Sequence, residues 1–319
     1  MPNHDGKGEW STRDNGPAVT SGLASSSNVR AILDSEMKRR RRWPWIVVFA
    51  IAIIVLVVSL VVLGLIALSY HEGQQRYGEI AETAKFDPPS AGSAGAEVDV
   101  KELTVDWNAL KKVNPDTVGW LYIPDTPINY PVVQGDDNEF YLYHDFDGEA
   151  GWLAEYGAIF LDHSNNPKWT DPLNFVYGHH MNDGSMFACI TGFADQSEFD
   201  AHRIVYLLTP SGNFKLRGFA LLHCPADEQI VLSTFKDKSE MTAYVQDKID
   251  RSEVDVGKIP EASQLDRVFA FATCDNTSDG RYVLYAYVLD TSVEELTGKV
   301  GIDEKEGETS GLVEDLEVD

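Results

Sequence analysis

Cysteine is scarce in this chain, with three residues in 319: Cys189, Cys224 and Cys274. So few thiols exclude a disulfide-stapled scaffold, and none stands in the C-x-x-C spacing of a structural zinc site. H-x-x-x-H spacing is also absent, so neither a metal nor another cofactor is expected. Positive charge is short too: 26 Lys and Arg against 51 Asp and Glu give a net charge of −25. The one basic cluster is Lys38-Arg-Arg-Arg-Arg42. No nucleic-acid partner is expected, because binding phosphates takes an array of cations. There is no internal repeat.

Charge is missing altogether from Trp45 to Leu68, and this gap is the strongest single signal. As a helix rising 1.5 Å per residue, the run spans about 36 Å, enough to cross a hydrocarbon core. It is too uniformly apolar for a buried core helix and too long for the apolar centre of a cleaved signal peptide, although Ala67-Leu-Ser69 resembles a weak cleavage site. Residues 43–70 are therefore read as an uncleaved signal anchor. The cations before it and the aromatic residues Trp43, Trp45 and Tyr70 at its borders predict a single-pass protein of the cell membrane, with its N-terminus cytoplasmic and the rest outside.

Four further segments flank this anchor. Residues 1–42 are polar and without apolar period, a disordered cytoplasmic tail. Residues 71–98 comprise a short juxtamembrane helix and a Pro/Gly/Ser-rich spacer that leaves the next domain free to reorient. A folded domain is placed at 99–291. Residues 292–319 are an acidic, disordered tail; from 291 on there are ten carboxylates against two lysines. Within the domain, helices are predicted at 106–114 and 239–249. Short β-runs are expected at 118–124, 128–133, 158–161, 174–177, 204–208, 213–224, 229–233 and on either side of a break at 275–280. Many short strands with few helices predict a mainly β fold, and a closed barrel is preferred because it leaves no exposed edge.

Cys274 closes one predicted strand and Arg281 opens the next, so pairing of the two brings a thiol and a permanent cation to one sheet end. A nearby cation favours the reactive thiolate. The plainer reading is a buried cysteine beside a surface arginine. Export shifts the balance, because an odd cysteine count leaves at least one thiol unpaired. Of the domain's histidines (His144, His163, His179, His180, His202 and His223), His179 follows Tyr177-Gly178 at the end of a strand, the same kind of position. His180, its neighbour on an extended chain, faces the other way, which argues against a shared ion.

Several ordered motifs then match together: Val118-Gly-Trp-Leu-Tyr-Ile-Pro124, Tyr130-Pro-Val-Val-Gln134, Asp137-Asn-Glu-Phe-Tyr-Leu142, Gly157-Ala-Ile-Phe-Leu-Asp162, Tyr177-Gly-His-His-Met181, Thr273-Cys274 and Arg281. Over about residues 104–290 the chain resembles the sortases, the membrane-anchored cysteine transpeptidases of Gram-positive surfaces, and specifically class B. The resemblance implies a sortase-type closed β-barrel with an N-terminal helix and an inserted helix before the active-site strand. It implies Cys274 as nucleophile, His179 as proton carrier and Arg281 as oxyanion partner. Asn138, Leu142, Thr273 and Asp275 would bind substrate, with the Asp275 N–H as a second oxyanion donor. The substrates implied are secreted proteins with a C-terminal sorting motif, and the acceptor is a cell-wall precursor amine or a pilin amine. The usual Thr-Leu-x-Thr-Cys signature reads Ala270-Phe-Ala-Thr-Cys274 here, which bears on substrate fit near Ala272. Cys189 and Cys224 receive no role, and structural thiols or a disulfide both stay open. The competing readings are another exported cysteine peptidase or transpeptidase and a catalytically inactive, membrane-tethered binding domain. An L,D-transpeptidase would set its His and Cys within a few residues of each other, unlike His179 and Cys274.

Overall fold

The computed structural model describes residues 26–88, 99–150, 156–225, 228, 230–232, 234–274 and 280–293. The expected tails at 1–25 and 294–319, most of the spacer (89–98) and Asp275 lie outside the described residues. The chain divides into two compact units, residues 1–63 and 64–319. Helix α1 (Ser26–Ala84) runs across this division; its apolar stretch has exposed side chains, and it is long and apolar enough to cross a membrane.

In the second unit, eight strands close into a barrel. They are β1 (Thr117–Tyr122), β2 (Asn129–Val133), β3 (Ile159–Leu161), β4 (Leu173–His179), β5 (Ile204–Leu208), β6 (Phe214–Pro225), β7 (Val268–Cys274) and β8 (Gly280–Thr291). Their order around the barrel is β1-β2-β3-β4-β7-β8-β6-β5. Only β2/β3 and β4/β7 run parallel; the other pairs are antiparallel. Parallel neighbours need long crossovers. The β2–β3 crossover holds the short helix α3 (Phe140–Tyr143), and the β4–β7 crossover holds α4 (Gln196–His202), β5, β6 and α5 (Lys238–Asp250). Trp120, Phe175, Phe187, Phe214, Phe219, Phe269 and Phe271 fill the core and are fully buried.

The closed barrel, the N-terminal helix α2 (Trp107–Val113) and the inserted helix α5 agree with the sequence expectation. Asp106 and Asp237 cap α2 and α5 by accepting from Ala109 N and Glu240 N, each at 3.0 Å. On α5 the buried face includes Lys248 beside Met241 and Val245. Its ammonium lies 4.6 Å from the centre of the Tyr244 ring and 2.7 Å from Asp247, so the buried charge is paired.

Three local expectations change. Residues 230–232 form no strand: Ile230 is buried, but its carbonyl accepts from the Tyr244 hydroxyl at 2.6 Å and not from a neighbouring strand. Helical structure exceeds the two predicted helices, because α4 and a 3-10 helix at Ala188–Ala194 bridge β4 to β5. The juxtamembrane helix is the end of α1, and it is docked. Tyr77, Ile80 and Ala84 are buried, and Phe86, the first residue of the expected spacer, packs edge-on against Tyr122 at 5.4 Å.

Candidate active site

Parallel pairing of β4 and β7 sets the C-terminal ends of both strands side by side. His179 and Cys274 are direct Cα partners in that pair, although 95 positions separate them in the chain. On the other side, β7 and β8 are in register through Ala272 and Val283. Continued two residues, the same register places Cys274 opposite Arg281. A part-buried clip supports that continuation, since Thr273 Oγ1 accepts from Tyr282 N at 3.0 Å. Arg281 is half-buried and is the Cα partner of Cys224 on β6. His179, Cys274 and Arg281 thus occupy one row across three adjacent strands.

Within that row, His179 is only 6% exposed. Its Nε2 lies 2.5 Å from the Leu142 carbonyl. A carbonyl can only accept, so Nε2 carries the hydrogen and Nδ1 is the nitrogen left to exchange a proton. Gly157 makes the fit possible. It has φ +56°, and a Cβ there would stand 2.7 Å from His179 Cδ2 and 2.7 Å from the Leu142 carbonyl. Leu142 is therefore placed beside His179 by its backbone. His180 is exposed while His179 is buried, and among the described residues no group of three or more His, Cys, Asp or Glu could hold a metal ion.

Asn138 makes its hydrogen bonds outside the row. Its Nδ2 donates to Asp162 at 2.8 Å, and its Oδ1 accepts from His163 N at 2.9 Å. Asp162 is the hub of this corner, also accepting from Ser164 N at 2.9 Å and from the Tyr177 hydroxyl at 2.9 Å. Burial alone would push the Asp162 carboxyl up, but the bonds from Ser164, Asn138 and Tyr177 outweigh it and hold it below the usual carboxylate range. A depressed acid contributes stability above its unfolded value of about 4, and that contribution is lost as the pH falls through the lower folded value. Asp162→Asn should therefore cost about 1–3 kcal/mol at pH 7, with a gap from the parent that narrows below about pH 4. Calorimetric melts from pH 7 to 3 test this; a gap that stays constant with pH would exclude the charged-hub account.

The two other cysteines are free thiols. Burial pushes Cys189 up to about 11. Cys224 is raised by burial and by Glu228, and its Sγ lies 3.9 Å from the Arg281 carbonyl. Neither is suited to nucleophilic chemistry near neutral pH. The two replaced signature residues, Ala270 and Phe271, and Ala272 at the free position are all fully buried.

Sequence reading did not single out Gly157, Asp162, Tyr177 or the Leu142 carbonyl as parts of the site. The first two stand within the Gly157–Asp162 motif, and a glycine ahead of an apolar strand was the one available signal.

No protein-family model matches the chain. Among curated proteins, Sortase B of Listeria monocytogenes is 30% identical over 236 residues, 71% of this chain and 93% of the relative. Sortase B of Staphylococcus aureus is 28% identical over 189 residues, 58% of this chain and 75% of the relative. Among solved structures, sortase B of Bacillus anthracis in complex with AAEK1 aligns with a TM-score of 0.59 at 27% identity, over 69% of this chain and 98% of that one. Fold and relatives together define a cysteine transpeptidase of the sortase type. Within that class, the chain belongs to the sortase B family.

Proposed function

We propose that this chain is a membrane-anchored transpeptidase that cleaves a C-terminal sorting motif after Thr and joins the new carboxyl end to an amine. The observation that carries this reading is the pairing of His179 with Cys274 on parallel strands, with Arg281 on the next strand. An ordinary thiol of pKa about 8.5 is only about 3% ionised at pH 7. Arg281 beside Cys274, and His179 when protonated, would raise that fraction.

The Cys274 thiolate attacks the Thr carbonyl carbon, forming a C–S bond. His179 then delivers a proton to the amide nitrogen as the C–N bond breaks, and the downstream peptide leaves as an amine. The acceptor amine attacks the thioester and gives a proton to His179; the C–S bond breaks, a new amide forms, and the thiolate is regenerated. Arg281, with the Asp275 N–H, stabilises the oxyanion of both tetrahedral species. Asn138, Leu142 and Thr273 shape the groove: Asn138 through its ties to Asp162 and His163, Leu142 beside His179, and Thr273 through its clip to Tyr282.

The substrates in this reading are secreted proteins bearing the motif, and the acceptor is a cell-wall precursor amine or a pilin amine. Residues 43–70 form the anchor, with the barrel outside the cell. Full-length protein in detergent micelles, given fluorogenic peptides of the Leu-Pro-x-Thr-Gly and Asn-Pro-x-Thr types, should cleave one of them after Thr and transfer it to an added amine. Cleavage of neither would overturn the proposal.

A further inference from the structure

We propose that Tyr77 is a positioning residue for His179, acting through the Gly157 carbonyl. The proposal rests on His179 being the proton carrier.

Tyr77 belongs to the part of α1 that packs on the barrel and is only 6% exposed. Its hydroxyl donates to the Gly157 carbonyl at 2.7 Å. A Cβ on Gly157 would overlap both the His179 ring edge and the Leu142 carbonyl that takes up its Nε2 hydrogen, so the backbone there lies close to both. The next residue, Ala158, donates its N–H to the Tyr141 carbonyl at 2.9 Å. Leu142 and Gly157 therefore stand against the imidazole, their neighbours Tyr141 and Ala158 are tied to each other, and Tyr77 holds the Gly157 carbonyl. Interiors packed this closely transmit small displacements.

A second route reaches the backbone of His179. The Tyr77 ring meets Tyr130 edge-on at 5.3 Å between centres. Tyr130 accepts from Met186 N at 3.1 Å, and the neighbouring Phe187 N donates to the His179 carbonyl at 2.9 Å.

The rest of the helix is seated around the same segment. The Tyr156 hydroxyl donates to the Tyr70 carbonyl at 2.7 Å, and Gly73 leaves room for the Tyr156 ring, which a Cβ there would overlap. Gln74 donates to Asp183 at 3.1 Å, and Arg76 pairs with Asp145 and Asp147. These ties dock the helix, but only Tyr77 reaches the Gly157 carbonyl among the described contacts. The helix that follows the predicted anchor is thereby part of how the proton carrier is aimed.

The test uses full-length protein in micelles, ¹⁵N-labelled at histidine, with the His179 signal assigned from His179→Gln. In the parent, the neutral ring should be the Nε2–H tautomer. Tyr77→Phe keeps the ring and removes the donor. It should shift the His179 signal toward a tautomer mixture and lower kcat roughly ten-fold with KM little changed. Gln74→Ala loosens the same helix without touching Gly157 and should leave the signal in place. An unmoved His179 signal in Tyr77→Phe, an unchanged kcat, or an equal shift from Gln74→Ala would each overturn the proposal. If Tyr77→Phe does not fold, 3-fluorotyrosine at position 77 strengthens the same donor and should move the signal; no movement overturns the proposal. The signal needs no turnover, so it is read even if the transpeptidase assignment fails.

Discussion

Cys274→Ala is expected to lower peptide cleavage by at least about 10⁴-fold, to the background of the assay. In the proposed mechanism alanine removes the atom that forms the covalent intermediate, and the remaining groups cannot replace it, because nucleophile and base act as a unit. The variant should stay folded, since one sulfur at a strand end contributes little to a core built on Trp120, Phe175 and Phe271. A methanethiosulfonate reagent adds a second readout. It should label the parent once, at Cys274, while Cys189 and Cys224 stay unmodified because burial holds both thiols protonated. Peptide mapping by mass spectrometry checks the site. Parent-like cleavage by Cys274→Ala would mean that the nucleophile lies elsewhere.

The second large effect is expected at Arg281. Lysine there keeps the positive charge but exchanges a planar, five-donor fork for a point charge on a flexible stem. If Arg281 binds the oxyanion, Arg281→Lys should lose roughly 10²–10³ in kcat, the usual range for removing one oxyanion donor. The retained charge should still favour the thiolate, so labelling of Cys274 should remain within a few-fold of the parent. That split separates the two roles. Near-normal turnover would dismiss the oxyanion role, and a parallel collapse of labelling would recast Arg281 as the group that activates the thiol.

Much of this architecture is legible locally. The uncharged run from Trp45 to Leu68 is long and apolar enough to cross a membrane, and its helix follows from length and composition. Strand alternation and Pro/Gly breaks locate most barrel strands to within a few residues, because period-2 burial depends on neighbours in the chain. Where the reading failed, the deciding contact was distant. Ile230 looks like part of a strand, but its carbonyl is taken by Tyr244 on α5. The spacer after Lys85 looks unattached, but Phe86 finds Tyr122 across the fold.

The site divides the same way. The sequence by itself determined which residue types were available: a cysteine and an arginine flanking one break, and a histidine closing another strand. Tertiary structure alone decided that β4 and β7 run parallel, so that two strand ends far apart in the chain meet with His179 beside Cys274. It also decided which imidazole nitrogen carries the hydrogen, through a Leu142 carbonyl brought in by a separate crossover. It seated Tyr77 behind Gly157, a contact between positions 80 apart in the chain. Side-chain chemistry is written residue by residue, but register and long-range packing are collective results of closing the barrel, and no single window of sequence contains them.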